Sequence, residues 1–111
     1  MLPRVNRLKS DKDFQNVFKK GRTSENQFFR IKFLENQKNF SRFGFVISAK
    51  LLNKAVERNI LKRRLKATCR SLLKDLKSDF DIVIWPKKIS FFLNYKDLNY
   101  YLKELVIDRI N

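Results

Sequence analysis

Lys54-Ala-Val-Glu-Arg-Asn-Ile-Leu-Lys-Arg-Arg-Leu-Lys-Ala-Thr-Cys-Arg70, near the middle of a 111-residue chain, holds seven Lys or Arg in seventeen positions and neither Gly nor Pro. Its Ala, Leu, Lys, Glu and Arg residues are strong helix formers, and no breaker interrupts them, so the stretch predicts an α-helix. At about 100° per residue, Leu61, Leu65, Thr68, Cys69 and Leu72 share one arc, while Asn59, Lys62, Arg63, Lys66 and Arg70 share a neighbouring one. The first arc is suited to a core and the second to a polyanion.

On the N-terminal side of this helix, Gln27 to Leu34 alternates Phe29, Ile31 and Phe33 with Arg30 and Lys32, a strand with one apolar and one basic face. The polar segment 35–41 then leads into Arg42 to Ser48, a second strand. A short polar link between adjacent strands predicts an antiparallel hairpin. Earlier still, Ser10 followed by Asp13 resembles a capping box, and Gly21 is placed to end the helix that it opens. Phe14, Val17 and Phe18 fall at i, i+3 and i+4 within that helix, the spacing of a core-facing stripe. Residues 1–9, with Arg4, Arg7, Lys9 and Pro3 and no apolar period, read as a basic arm.

On the C-terminal side, Lys77-Ser-Asp79 is a turn, and Asp81-Ile-Val-Ile-Trp85 is a nearly apolar run stopped by Pro86, which predicts a buried strand. Asn94 to Asp97 forms a second cap-like start, followed by Leu98, Tyr101, Leu102 and Leu105 at helical spacing. The order helix, strand, strand, helix, strand, helix describes a single-domain α+β sandwich in which helices cover one small sheet. One sheet face is well covered at this chain length, and a partly open face beside the basic helix would form a groove.

The 26 Lys and Arg outnumber the 11 acidic residues, giving a formal charge of +15 that repels itself unless a polyanion neutralises it. Nucleic acid is therefore the expected partner, with Arg offering forked donors to phosphate and Lys point charges. Phe14, Phe18 and Phe29 lie close to basic residues and are candidates for stacking on unpaired bases. The chain has no His and one Cys, so the usual Cys/His metal sites and Ser-His-Asp or Cys-His arrangements are excluded. Asp11 with Asp13 and Asp79 with Asp81 are the close carboxylate pairs, but both sit at expected caps or turns, which argues against a protein-borne nuclease centre. Cys69 cannot form an intramolecular disulfide, and no segment has signal-peptide or membrane-span character, so the chain reads as cytoplasmic with no membrane partner.

The segment Ala55-Val-Glu-Arg58-Asn59-Ile-Leu61-Lys62-Arg63 resembles the signature of the bacterial ribonuclease P protein subunit, and Asn6 to Lys9, Asp13 to Gly21 and Gly44 to Lys50 resemble the same family in the same order. The resemblance implies a protein that assists a catalytic RNA in removing the 5′ leader from precursor tRNA. The RNA performs the hydrolysis with Mg²⁺, and the protein binds no cofactor by itself. It further implies RNA contacts at Ser48, Lys50, Arg58, Asn59, Lys62 and Arg63, to which the charge of the helix adds Lys54, Lys66 and Arg70. Phe14, Phe18, Phe29 and Ile31 would line a cleft, between the basic helix and the sheet, that takes the single-stranded leader. The family fold resembles a ribosomal-protein domain with a left-handed βαβ crossover, against the usual right-handed rule. Ile60 stands where the family commonly has another basic residue, Arg64 where an apolar one is usual, Leu52 and Asn53 where a Gly often precedes the helix, and Ile31 where an aromatic is frequent. The alternatives are a ribosomal or other structured-RNA-binding protein without an enzymatic role and, behind it, a DNA-binding helix-turn-helix protein. The latter would need two helices joined by a tight turn, whereas a strand precedes the basic helix.

Overall fold

Ser10 opens the first helix as its side chain predicts. In the computed structural model, which describes residues 2–110, Ser10 Oγ accepts the Asp13 amide at 3.1 Å and α1 runs Asp11–Lys20. Asp11 and Asp13 occupy its first turn and Lys19 and Lys20 its last, each complementing the helix dipole. Gly21 ends the helix for a reason other than left-handed geometry. Its φ of −74° suits any residue, but a Cβ there would lie 2.5 Å from the Val17 carbonyl oxygen and 3.1 Å from that of Phe33.

Four strands follow the order β1-β2-β4-β3 in one sheet, with β1 at Arg22–Glu25, β2 at Phe29–Glu35, β3 at Arg42–Phe45 and β4 at Phe80–Pro86. The predicted β2/β3 hairpin does not form. β4 lies between them, antiparallel to β2 from Phe29↔Pro86 to Glu35↔Phe80 and parallel to β3 from Arg42↔Asp81 to Phe45↔Ile84. A central strand must be apolar on both faces, and β4 meets that demand, since Ile82, Val83 and Ile84 are all wholly buried. The true hairpin joins β2 to β1, whose polar sequence Arg-Thr-Ser-Glu carries no apolar alternation. Asn26 organises its turn: the side-chain oxygen accepts the Phe28 and Phe29 amides, and Nδ2 donates to the Tyr101 carbonyl at 3.0 Å.

The stretch read as a basic arm is part of the fold over residues 2–9. Leu2 is wholly buried, Asn6 Nδ2 donates to the Ser41 carbonyl at 2.7 Å, and the Leu8 amide donates to the Phe43 carbonyl at 2.8 Å. Arg7 thereby bridges β3 in parallel and covers what would otherwise be an open sheet edge.

The basic helix α2 spans Ala55–Leu72 and buries the arc Leu61, Leu65, Thr68, Cys69 and Leu72 that its sequence marks. With α3, Tyr95–Lys103 continued by a π-helical turn at Glu104–Asp108, it covers the sheet face that carries Phe29, Ile31, Phe43, Ile82 and Ile84. Burial pushes the Cys69 thiol well up, so that residue belongs to the core. The β3-α2-β4 crossover is left-handed. Seen from the α2 side with both strands running upward, the chirality of L-residues directs the carbonyl of Ile84, whose side chain faces α2, to the right. That carbonyl accepts the Val46 amide at 3.0 Å, so β4 stands to the left of β3.

The opposite face carries Val83, Trp85, Arg30, Lys32 and Gly44, and α1 covers only part of it, with Val17 its one fully buried residue. Arg42 fixes the near end of α1. It grips Asp81 with two hydrogen bonds, at 2.8 and 2.6 Å, and reaches Asp13 at 3.1 Å. Asn36 adds a 2.8 Å bond to the same Asp81 carboxylate.

Candidate nucleic-acid interface

α1 and the uncovered part of the sheet form the walls and floor of a groove. Phe14 rests on β3 because position 44 is glycine; a Cβ there would meet the Phe14 ring at 2.5 and 2.6 Å. Phe18 stacks at a tilt on Trp85 with ring centroids 5.5 Å apart, and Arg30, across from Trp85 in the register, places its guanidinium 5.3 Å from the Trp85 ring. Lys32 Nζ donates to the Phe18 carbonyl at 2.8 Å, which both caps the end of α1 and fixes the Phe18 backbone. Phe14, Phe18 and Trp85 are only half-buried, which leaves ring surface open beside positive charge.

Two hollows continue this groove. At one end Arg7, Lys9, Lys62 and Lys66 surround an apolar floor of Phe14, Phe43, Gly44 and Phe45, in a volume of about 290 Å³. Desolvation lowers the Lys66 pKa, and the charges of Arg7 and Lys62 lower it further, as expected where cations converge without an anion. At the other end Arg30, Ser48, Trp85, Lys87 and Lys88 line a hollow of about 400 Å³. Four cations around one hollow and open aromatic rings beside the next suit a phosphate backbone with unpaired bases.

The structure divides the sequence-marked residues. Phe29 and Ile31 are wholly buried against the α2 side, so they are core and line no cleft; the alternation of β2 sends Arg30 and Lys32, not Phe29 and Ile31, to the groove face. The groove accordingly lies between α1 and the sheet, and α2 borders it only through Lys62 and Lys66 at the β3 side. Asn59, Lys62, Arg63 and Arg70 are exposed along α2, and Lys54 stands at its start. Arg58 is half-buried and its Nη1 donates to the Leu52 carbonyl at 2.7 Å, tying the entry loop to the helix. Ser48 shapes that loop, its hydroxyl and carbonyl oxygens both accepting the Leu51 amide, while Lys50 is exposed on it. Arg64 turns away from this surface toward Phe91, donating to its carbonyl at 3.2 Å with the guanidinium 5.7 Å from the ring. Sequence reasoning missed Trp85, because a nearly apolar run reads as buried on both faces; its alternation with Asp81 and Val83 was the available signal. It also missed the converging Arg7 and Lys9.

A family model described as Ribonuclease P matches residues 2–109. The chain belongs to the ribonuclease P protein family. It is 36% identical over 107 residues to a ribonuclease P protein component of Pseudanabaena sp. (strain PCC 6903), covering 96% of this chain and 92% of that one. The identity to the ribonuclease P protein component of Streptococcus pneumoniae (strain Hungary19A-6) is 39% over 92 residues, covering 83% and 74%. Among solved structures, the ribonuclease P protein from Thermotoga maritima superposes with a TM-score of 0.84 at 31% identity, covering 95% of this chain and 97% of that one. As a ribonuclease P protein, the chain serves tRNA processing as the protein subunit of an endoribonuclease whose other partner is RNA. The ribosomal and DNA-binding alternatives give way to this assignment. No helix among the described residues is long and apolar enough to cross a membrane. Nor do the described residues contain a cluster of three or more His, Cys, Asp or Glu placed to hold a metal. Asp13 and Asp81, one from each sequence-adjacent carboxylate pair, are both engaged by Arg42.

Proposed function

We propose that the α1 groove takes the single-stranded 5′ leader of precursor tRNA, while the exposed α2 face meets the catalytic RNA. Leader bases stack on Phe14, Phe18 and Trp85, and the backbone runs past Arg30 toward the cations Arg7, Lys9, Lys62 and Lys66. Asn59, Arg63 and Arg70, with Lys54, face the RNA subunit, and Arg58 and Ser48 hold the entry loop in position for it. Hydrolysis is performed on the RNA subunit with Mg²⁺ held there; the protein's part is to fix the leader and neutralise phosphate charge where the two RNAs approach. The observation that carries this reading is the juxtaposition of three half-open aromatic rings with the guanidinium of Arg30 on an uncovered sheet face.

Reconstitution with a bacterial ribonuclease P RNA at low Mg²⁺ tests it, scored by cleavage of a precursor tRNA. The protein should raise cleavage, and Phe18→Ala should weaken binding of leader-bearing substrate by about tenfold, the loss of one stacked base, while leaving mature tRNA binding unchanged. An equal loss for both substrates would return Phe18 to a purely structural role.

A further inference from the structure

Phe92 is 74% exposed, an unusual position for a large apolar ring. It stands on a 3-10 turn, Lys88–Phe92, and packs edge-on against Phe91, which is itself held by the Arg64 guanidinium. Between this turn and the loop before α2 lies a groove of about 300 Å³ lined by Lys50, Leu51, Asn53, Lys88, Phe91 and Phe92, with Glu57 its one acidic residue. Leu51 and Lys88 also line the hollow at the Trp85 end of the leader groove, so the two depressions share a rim.

We infer that this groove is a second single-stranded RNA subsite, with Phe92 as its stacking platform and Lys50 and Lys88 as its phosphate contacts. The inference rests on the leader reading: a strand leaving the Trp85 end crosses the Leu51 and Lys88 rim and continues onto the Phe92 ring. The local charge selects the occupant. In the lining Lys50 and Lys88 outnumber Glu57, Arg64 stands behind them on Phe91, and the chain carries +15, so a polyanion is favoured over an acidic-poor protein surface or a second copy of the same cationic chain. A flat, exposed ring flanked by lysines takes any base, because every base offers a π-face. The subsite therefore reads leader length, not leader sequence.

The holoenzyme reconstituted with a bacterial ribonuclease P RNA is titrated with precursor tRNAs whose leaders are about 4 and about 12 nucleotides long, spanning the range of single-strand site sizes for small domains. Phe92→Ala should weaken binding of the long-leader substrate by about tenfold and leave the short-leader substrate unchanged, and Phe92→Trp should retain wild-type affinity for both. Wild-type affinity of Phe92→Ala for the long-leader substrate, or an equal loss for both substrates, overturns the subsite. So does conversion of a dimer of the isolated chain to a monomer without a leader-length effect, since the face would then join two copies. If Phe18→Ala discriminates leader-bearing from mature tRNA while Phe92→Ala shows no length dependence, the second subsite fails and the leader groove stands. If neither variant discriminates, the leader groove itself fails.

Discussion

Two glycines illustrate how one missing Cβ serves different ends. At Gly44 the added atom would meet the far edge of the Phe14 ring, which is half-exposed and free to swing outward. At Gly21 it would meet carbonyl oxygens of α1 and β2, which are fixed by the helix and the sheet. Gly44→Ala is therefore expected to cost about 1 kcal/mol of stability but to displace a groove wall, so leader affinity falls more than stability does. Gly21→Ala is expected to cost about 2 kcal/mol and lower Tm by roughly 10 °C, with leader affinity intact at temperatures where the protein remains folded. Thermal unfolding and leader binding measured on both variants check this. The same loss of leader affinity in each would place Phe14 outside the binding surface.

At the scale of elements, α1 is lightly buried: Val17, Phe14 and Phe18 pack on the Val83 and Trp85 face of the sheet, and a polar tie holds each end of the helix. Lys32 holds its C-terminal end through the Phe18 carbonyl, and Arg42 holds its N-terminal end through Asp13. Desolvation raises the Asp13 pKa, but the Ser10 hydroxyl and the Arg42 guanidinium outweigh it and hold the carboxyl below its ordinary 3.8. A carboxylate with a depressed folded pKa contributes stability above its unfolded value of about 3.9 and loses it as the pH falls through the folded value. Asp13→Asn should consequently destabilise the protein at pH 7, and its deficit relative to wild type should shrink as the pH falls below about 4. Urea unfolding of both proteins across that range measures the deficit; a deficit independent of pH would mean that the charge of the Asp13 carboxylate contributes nothing to the fold. The elements themselves were legible wherever periodicity is local. The apolar arc of α2 and the caps at Ser10 and Asn94 stand as their sequences mark them, with the Asp97 amide donating to Asn94 Oδ1 at 2.8 Å. Strand pairing was not, because the partner of β2 comes from residue 80 onward and competes with the nearer β3 through burial that no local window contains. β1 was invisible for a related reason: Arg22-Thr-Ser-Glu25 is recruited by its neighbour's backbone and has no pattern of its own. The loss of Phe29 and Ile31 from the groove has the same origin. Alternation revealed two faces of β2, but only the placement of α2 and α1 on opposite sides of the sheet decides which face is core.

For the whole molecule, the charge of +15 sets stability and function against one another. Arg7, Lys62 and Lys66 meet at one hollow, and the depressed Lys66 pKa means that its charged form is disfavoured by folding at neutral pH. Neutralising that charge should relieve the folded state, while the RNA loses a phosphate contact. Lys66→Gln is thus expected to raise the Tm of the isolated chain at low salt, with the gain fading as salt screens the repulsion over distances of about 10 Å at 0.1 M. RNA affinity should move the opposite way, weakening as salt rises, with the slope of log K against log salt reduced by about one for Lys66→Gln and likewise for Arg63→Ala on the exposed α2 face. Thermal scans of the free chain, with binding isotherms for leader-bearing precursor tRNA in the case of Lys66→Gln and for the RNA subunit in the case of Arg63→Ala, run over the same salt series, separate these effects. Should Lys66→Gln lower Tm at low salt, the side chain would be contributing its methylene packing against the Phe43 and Phe45 floor more than its charge. Should Tm rise while the salt slope is unchanged, the hollow would be positively charged without touching phosphate. A rise in Tm together with a reduced slope is the result expected of a binding surface assembled at the expense of the free protein and completed by the polyanion it holds.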